Sequence, residues 1–305
     1  MSPVCSAVLR KAECCNDKDA QGLKAKPRRA SSEFTSRKKA MAQEDLKGKW
    51  ALILGASSGF GAATALELAR YGVNIIGLHL DRGPALEAVK ELVGQIESCG
   101  VQVHYLNMNI ANAEKRSDAV AQIKAWLGED KLHMVMHSVA FGSLQPFIGP
   151  DAEHQLTQTQ LEMTLDVMAN SLVYWVQDLW HANLLGRGSR VFSMTSAGSE
   201  EVFRTYGAVS AAKSALESHT RQLALELGKH GVMVNCIMAG VTDTPALRKI
   251  PGNDEIVAIA MRRNPTGRLT TPRDVAVTIR ALCDPEIERI NGAVIVVDGG
   301  ERISM

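Results

Sequence analysis

A glycine turn between a short apolar run and a helical pattern constrains the fold of this chain more than any other feature. Residues 51–54 are continuously apolar, which is typical of a strand covered on both faces of its sheet. Gly55, Gly59 and Gly61 follow at once, and a helical pattern continues over 62–71. Glycines placed in this way let the backbone approach a pyrophosphate, which then meets free amides at the helix N-terminus. The alternative is a tight turn without a ligand, but the strand-turn-helix context favours dinucleotide binding.

Strand and helix patterns alternate along the rest of the chain. Seven strands separated by helices, with no internal repeat, predict an α/β fold with a single-domain, Rossmann-type doubly wound parallel sheet. Ligands of such sheets bind at the carboxyl ends of the strands. After the first strand, we predict strands over 73–80, 101–108, 134–138, 190–194, 232–237 and 293–297, and helices over 84–98, 113–127, 161–185, 206–229 (or from 202) and 272–283.

The first 43 residues differ in composition from the rest. Residues 1–40 hold ten Lys and Arg against four Asp and Glu, although the whole chain has a net charge of only +1. Because this segment shows no sustained hydrophobic period, we expect a disordered basic tail over 1–43 and one folded domain over 44–305. A targeting segment, an electrostatic arm and a mis-assigned start are its three interpretations, the last because Met41 stands directly before the first strand.

Composition argues against several classes of protein. The near-neutral charge gives no argument for a nucleic-acid partner, and no apolar run reaches the roughly 18 residues that a membrane span needs. The cysteines form no Cys-x-x-Cys pair and have no His partner at zinc-ligand spacing, which favours a reduced, cytoplasmic protein without a structural metal. They lie at positions 5, 14, 15, 99, 236 and 283.

Tyr206 and Lys213 are the candidate catalytic pair. Seven positions of a helix turn about 700°, so the phenol and the ammonium lie on one face, about two turns apart. A proton donor and a cation would then point into one cleft. Taken alone, the same two residues also fit the solvated face of an ordinary amphipathic helix.

The end of the second strand bears on the choice of cofactor. An acidic side chain there binds ribose hydroxyls and repels a 2′-phosphate, whereas a basic side chain does the reverse. Asp81 is flanked by His79 and Arg82, so the three residues give mixed indications. We favour NADPH over NADH.

These motifs, taken together, resemble the short-chain dehydrogenase/reductase family over 47–305. The glycine turn, the Lys213 helix and the segment 193–196 carry the resemblance, as do Asn170, the pair Asn109-Ile110 and the final Val297-Asp298-Gly299-Gly300. The usual tyrosine of this family stands four residues before the lysine. Here that position is Val209, and the tyrosine stands at seven.

The Tyr-x6-Lys spacing resembles the enoyl-acyl-carrier-protein reductase branch of that family. The segment 137–141, His-Ser-Val-Ala-Phe, is also similar to that branch, and the combination looks like its NADPH-dependent third type. Two positions depart from the pattern. Ser196 stands where many members have a second tyrosine, and Asn109 stands where an Asp commonly contacts adenine.

The resemblance implies a reaction and its residues. Hydride would pass from NADPH to the β-carbon of a trans-2-enoyl thioester, linked to acyl carrier protein or to CoA, in fatty-acid elongation. Tyr206 would stabilise the enolate oxygen and Lys213 would bind the nicotinamide ribose, while Ser196 either touches substrate or only ends a strand. Asn170 would hold a water or make a helix–helix contact. The implied cofactor contacts are Gly55, Ser57, Ser58, Gly59, Phe60, Gly61, His79, Arg82, Asn109, Ile110, Ser138, Val139, Ala140, Lys213 and Thr244.

An irregular segment over about 245–270 is the candidate substrate lid, because prolines and glycines interrupt one short helical pattern at 255–261. Its cations form either a solvated face or a dock for an acidic carrier protein. They are Arg248, Lys249, Arg262, Arg263 and Arg268.

The resemblance also implies a homotetramer, through the 161–185 and 206–229 helices. Two other functions stay open at this point. One is a carbonyl, 3-oxoacyl or hydroxysteroid reductase of the same family, and the other is a non-catalytic dinucleotide sensor.

Overall fold

Seven parallel strands form one sheet in the computed structural model, which describes residues 45–304. The predicted doubly wound fold is thereby confirmed. The strands are β1 (Trp50–Leu54), β2 (Asn74–His79), β3 (Val103–Asn107), β4 (Leu132–His137), β5 (Arg190–Ser196), β6 (Met233–Ala239) and β7 (Val294–Val297). Their order across the sheet is β3-β2-β1-β4-β5-β6-β7.

Helices cover both faces of this sheet. They are α1 (Gly59–Ala69), α2 (Ala85–Glu97), α3 (Ala113–Leu127), α4 (Gln158–Leu165), α5 (Ser171–His181), α6 (Gly207–Gly228), α7 (Asn253–Arg263) and α8 (Pro272–Leu282). One hydrophobic cluster joins α3, α5 and α6 to the sheet, and a second joins α1, α2 and α8 to its other face. The strands β1 and β2 are buried along their whole length, as expected for strands covered on both sides.

The chain changes direction across the sheet at β1. It goes outward through β2 and β3 on one side, and then crosses to β4 and continues through β5, β6 and β7 on the other. The carboxyl ends of β1 and β4 therefore form the switch point at which ligands of open α/β sheets bind. Gly55 follows β1 and Ser138 follows β4 at this point.

The predicted helix over 161–185 differs in the structure. Thr157 and Gln160 form a capping box, so α4 begins at Gln158, and a π-helical segment over Asp166–Asn170 separates α4 from α5. The helical region ends at His181 because Asn183 takes a positive φ of 62°. Single π turns inside helices often mark functional sites.

The helix that carries Lys213 begins at the later of its two predicted starts. Thr205 has a φ of 61°, which is incompatible with a right-handed helix running on from residue 202. Tyr206 is the cap before α6, and Gly207 is its first residue.

The predicted tail over 1–43 lies outside the described residues. Among the helices of residues 45–304, none is long and apolar enough to cross a membrane.

Trp175 links the fold to the turn after β3. Its indole is fully buried, and its Nε1 donates to the carbonyl of Ile110 at 3.0 Å. We expect Trp175→Phe to lower the free energy of unfolding by about 1–3 kcal/mol, because the buried carbonyl loses its donor. Urea denaturation followed by circular dichroism measures this change.

Trp180→Phe is the matched control for that substitution. Trp180 lies on the same helix, is half-buried and packs on His230 with ring centroids 4.7 Å apart. The control is expected to cost less than the Trp175 variant. Equal losses of unfolding free energy in the two variants would contradict a stabilising role for the hydrogen bond to Ile110.

Candidate active site

Close backbone contacts explain two of the three glycines in the turn. A Cβ on Gly55, whose φ is +91°, would lie 2.2 Å from the carbonyl oxygen of Ser138. A Cβ on Gly61 would lie 1.9 Å from the carbonyl oxygen of Gly55. Neither position has room for a side chain, so the turn lies directly against its own start and against the end of β4.

The N-terminus of α1 is suited to an anion such as a pyrophosphate. Ser58 caps this helix without a hydrogen bond from its side chain, and its hydroxyl is exposed. The first-turn amides are thus not capped by that side chain, and helix N-termini bind phosphate through such groups. Ser57 and Phe60 are half-buried beside them. The predicted phosphate-binding residues therefore fit a dinucleotide.

Thr244 lies opposite the glycine turn. A Cβ on Gly59, whose φ is +53°, would lie 3.6 Å from Thr244 Cγ2. The Thr244 hydroxyl accepts a hydrogen bond from the amide of Leu247 at 3.2 Å. The structure thus brings together two predicted cofactor residues that are far apart in the sequence.

The end of β2 carries a hydrogen-bonded pair. The imidazole of His79 is buried, and its Nδ1 lies 2.9 Å from Asp81 Oδ2. Asn107, which sequence reasoning missed, accepts from the Asp81 amide at 3.3 Å and donates to its carbonyl at 2.9 Å. Arg82 is exposed beside them. His79 therefore orients the Asp81 carboxylate, and a direct contact of His79 with cofactor stays a prediction.

The turn after β3 contains Asn109 and Ile110. Asn109 Oδ1 accepts from the amide of Ala111 at 3.0 Å, so its exposed side chain can offer its NH₂ group to a ligand. Ile110 is buried and is held through the Trp175 hydrogen bond described above.

Ser196 and Tyr206 are brought together at the start of α6. Their hydroxyl oxygens lie 3.5 Å apart. The Tyr206 ring packs on the backbone of Gly198, where a Cβ would lie 2.5 Å from Cε1, and Phe203 meets it edge to face at 6.0 Å. Burial raises the pKa of Tyr206, and the Ser196 hydrogen bond opposes this change. The phenol consequently stays protonated near neutral pH.

Lys213 is buried beside the end of β5. Its side chain is only 6% exposed, and Nζ donates to the carbonyl of Met194 at 2.7 Å. Burial lowers the pKa of Lys213 to about 8, against the opposing influences of Cys236 and Glu217. An ammonium with this pKa is mostly charged at pH 7 but lies close to its titration range.

Val209 lies in the hydrophobic core. Its side chain is 5% exposed, and a Cβ added to Gly142 would lie 2.8 Å from Val209 Cγ2. The position four residues before Lys213 therefore has a packing role, and its apolar side chain has no proton to donate.

His137 and Ser171 join β4 to α5. His137 Nε2 lies 2.8 Å from Ser171 Oγ, and Ser171 in turn donates to the carbonyl of Val167 at 2.8 Å. Because the Ser171 proton points to Val167, His137 Nε2 donates to Ser171. Burial, together with the charge of Lys213, lowers the pKa of His137 to about 3. The imidazole is therefore neutral.

The residues after β4 lie against the glycine turn. Ser138 donates its backbone amide to the carbonyl of Leu54 at 2.8 Å. Val139 is half-buried and Ala140 is exposed. These three residues therefore flank the switch point, and their contact with the nicotinamide stays a prediction.

Asn170 makes the helix–helix contact that was one of its two predicted roles. Its Oδ1 lies 3.1 Å from Nε2 of His219 on α6. This contact fixes the π-helical segment against the helix that carries Lys213.

The segment over 245–270 is more ordered than predicted. A short 3-10 turn covers Leu247–Lys249, and α7 runs from Asn253 to Arg263, beyond the predicted 255–261. Three of the five cations are paired within the chain: Arg248 with Asp243 at 2.7 Å, Arg268 with Asp274 at 2.6 Å and Arg263 with Glu201 at 3.9 Å. The partly neutralised surface gives less support to an acidic-carrier dock than the sequence does.

A family model and several known proteins are similar to this chain. A family model described as enoyl-(acyl carrier protein) reductase matches residues 55–301. The chain is 26% identical over 259 residues to the 3-oxoacyl-(acyl-carrier-protein) reductase of Pseudomonas aeruginosa, covering 85% of this chain and 99% of that protein. It is 30% identical over 186 residues to the enoyl-(acyl-carrier-protein) reductase (NADH) of Aquifex aeolicus, covering 60% of this chain and 68% of that protein.

Two solved structures are similar to this chain over most of its length. The Aquifex aeolicus enoyl reductase structure is similar with a TM-score of 0.74 and 26% identity, covering 85% of this chain and 98% of that one. A short-chain dehydrogenase from Burkholderia cenocepacia in complex with NADP is similar with a TM-score of 0.71 and 26% identity, covering 85% and 99%.

Gly61→Ala tests the glycine turn. We expect NADPH binding to weaken by roughly tenfold or more, because the new methyl group forces the turn apart and such overpacking costs about 1–3 kcal/mol. Fluorescence titration of the folded variant with NADPH measures the affinity.

Gly94→Ala on α2 is the control, since a Cβ there would meet no atom within 4 Å. The control should bind NADPH as the unchanged chain does. If Gly61→Ala retains that affinity as well, the turn does not hold the cofactor in the manner described.

Proposed function

Because this chain belongs to the enoyl-(acyl carrier protein) reductase family of the short-chain dehydrogenase/reductase superfamily, we propose that it reduces the carbon–carbon double bond of a trans-2-enoyl thioester. Proteins of this superfamily are oxidoreductases that bind a nicotinamide dinucleotide. The relatives named above include both enoyl and 3-oxoacyl reductases, so the choice between these reactions depends on the site of this chain.

The position of the phenol carries the proposal. Tyr206 stands seven residues before Lys213, beside the Ser196 hydroxyl, whereas the position four residues before Lys213 is the buried Val209. In the usual pattern of the superfamily, which ketone-reducing members follow, the tyrosine stands four residues before the lysine. A phenol at seven supports conjugate reduction, in which hydride is added two atoms away from the carbonyl oxygen.

The proposed mechanism uses Tyr206 as a hydrogen-bond donor. Bound NADPH supplies the hydride that is added to the β-carbon. Negative charge then moves to the thioester oxygen, where the Tyr206 hydroxyl donates to the developing enolate, and solvent protonates the α-carbon. One donor of this kind typically contributes about 10²- to 10³-fold to the rate. The Ser196 hydroxyl orients the phenol.

Lys213 has two proposed roles in the same cleft. Its ammonium binds the hydroxyls of the nicotinamide ribose, and its positive charge favours the enolate. The Met194 carbonyl holds the ammonium at the end of β5. Lys213 therefore acts through position and charge and does not itself transfer a proton to carbon.

Apolar side chains near Tyr206 suit an acyl chain. Phe147 packs over Gly207, where a Cβ would lie 2.6 Å from the ring, yet it is 54% exposed. Three more exposed apolar side chains lie close in the sequence to Phe147 or to Tyr206: Phe141, Ile148 and Val202. Exposed apolar groups next to a site are typical of binding surfaces for apolar ligands. We infer that they contact the acyl chain and that 245–270 covers it as a lid.

We infer NADPH as the preferred cofactor. Arg82 is exposed at the end of β2, where it can meet a 2′-phosphate, and the Asp81 carboxylate is engaged by His79. Among the relatives, one structure contains NADP and the Aquifex aeolicus protein is named for NADH. A larger kcat/KM with NADPH than with NADH is expected, and the reverse preference would contradict the inference.

The carrier and the assembly are further parts of the proposal. Both an acyl-carrier-protein thioester and a CoA thioester fit an enoyl reductase. If the lid docks the carrier protein, reversal of charge at Lys249 and Arg262 should weaken the use of the carrier-linked substrate and leave the use of the CoA thioester unchanged. A homotetramer through the helical regions predicted over 161–185 and 206–229 stays a prediction, and so does a cytoplasmic location. Analytical ultracentrifugation tests the first of these.

A 3-oxoacyl reductase is the second candidate function, and the similarity to the Pseudomonas aeruginosa enzyme favours it. Oxidation of NADPH with crotonyl-CoA or acetoacetyl-CoA separates the two reactions. We expect oxidation with crotonyl-CoA, and activity on acetoacetyl-CoA alone would overturn the enoyl proposal. Turnover of neither substrate would favour a non-catalytic dinucleotide sensor.

Tyr206→Phe tests the proposed donor. Turnover of crotonyl-CoA should fall by about 10²- to 10³-fold, because the enolate oxygen loses its hydrogen bond, while the affinity for NADPH should be retained. Steady-state kinetics and fluorescence titration measure the two quantities.

Two variants serve as comparisons. Tyr174 lies on α5, and its hydroxyl donates to Asp166 at 3.0 Å. Tyr174→Phe removes this phenol and should leave turnover unchanged. Lys213→Met should instead weaken NADPH binding. Undiminished turnover in Tyr206→Phe would remove Tyr206 from its proposed role.

A further inference from the structure

Three consecutive residues at the end of β5 each contact a polar side chain of the Lys213 helix or of its cap. The Met194 carbonyl accepts from Lys213, and the Ser196 hydroxyl lies beside that of Tyr206. Between these two, Thr195 Oγ1 donates to Glu217 Oε1 at 2.6 Å. Glu217 has no part in the mechanism described above, although the same strand end holds it.

Glu217 is a buried carboxylate on the same helix face as Lys213. It stands four residues after Lys213, one turn along α6, and it is only 9% exposed. A buried carboxylate is costly unless hydrogen bonds and a nearby positive charge compensate it. Thr195 supplies the hydrogen bond, and Lys213 is the cation on the adjacent turn. Because their hydrogen bonds go to different residues of β5, the two charges interact through space.

The other titratable groups that face Lys213 are neutral at physiological pH. His137 on β4 has a pKa of about 3. Burial raises the pKa of the Cys236 thiol on β6 to about 11, and burial also raises that of Tyr206 at the start of α6. The group that β5 places against Lys213 is the Met194 carbonyl, which does not titrate. Among these described neighbours, Glu217 on α6 is thus the group that can supply a negative charge.

We propose that Glu217, held by Thr195, is the positioning residue whose negative charge keeps the buried Lys213 ammonium charged and directed toward the cofactor cleft. The inference rests on the role of Lys213 in the proposed function. Its physical reason is that burial alone favours the neutral amine, which could not attract the enolate or donate three hydrogen bonds. Removing the counter-charge should therefore lower the pH at which Lys213 loses its proton.

NMR titration of the cofactor-free protein labelled with ¹³Cε-lysine tests this directly. The Lys213 signal is assigned by its loss in Lys213→Arg. We expect Glu217→Gln, a neutral side chain of the same shape, to lower the titration midpoint of Lys213 by about one pH unit, as loss of a nearby opposite charge does. Glu217→Asp, which retains the charge, should restore most of the midpoint. A merely structural role for Glu217 would not move this signal.

Glu226→Gln is the matched control. Glu226 is an exposed carboxylate on the same helix, bonded to Gln222, and its loss changes the net charge equally. The control should leave the midpoint unchanged. Equal shifts in the two variants would show an effect of net charge alone and would overturn the proposal.

Thr195→Val provides a second test, and it carries the test if Glu217→Gln does not fold. This variant leaves the carboxylate in place but frees it from β5, so the midpoint should move down by a smaller amount. An unchanged Lys213 midpoint in each folded variant would overturn the proposal. The titration uses no thioester, so its failure is distinguishable from a failure to reduce crotonyl-CoA.

Discussion

The close approach of two backbones at the carboxyl ends of β1 and β4 is the constraint on which the rest of the site depends. The turn at Gly55 touches the carbonyl of Ser138, and Gly61 touches Gly55 in turn. Any side chain at these glycines would separate α1 from the end of β4. Under the proposed function, this contact determines where the dinucleotide phosphates fit and where the segment after β4 meets the nicotinamide.

The end of β5 is the second fixed element, and it contacts the side chains to which the proposed function assigns the chemistry. Its last three residues contact Lys213, Glu217 and Tyr206, so the spacing of polar groups along α6 is matched to one strand end. Val209, the neighbouring position in the sequence pattern, faces the hydrophobic core. The Tyr206 phenol and the buried Lys213 cation thus contact the same strand end, while the apolar Val209 between them stabilises the packing.

Much of the fold could be predicted, because strands covered on both faces are continuously apolar and the glycine turn marks the first crossover. The π-helical segment could not be predicted, because it depends on contacts between separate helical segments, such as that of Asn170 with His219. The spacing of Tyr206 and Lys213 in the sequence is enough to predict that they form a pair on one helix face. Glu217 was missed although it stands four residues after Lys213, because its bond to Thr195 joins residues 22 positions apart and depends on how α6 packs on β5.

The carbon that receives the hydride distinguishes conjugate reduction from ketone reduction. The protein is supplied with NADPH deuterated at the transferred C4 position and with equal amounts of crotonyl-CoA and acetoacetyl-CoA, and the products are identified by NMR and mass spectrometry. Conjugate reduction at this site should give butyryl-CoA that carries deuterium at C3. Deuterium found only in 3-hydroxybutyryl-CoA would show ketone reduction and would contradict the proposed enoyl-thioester reductase activity.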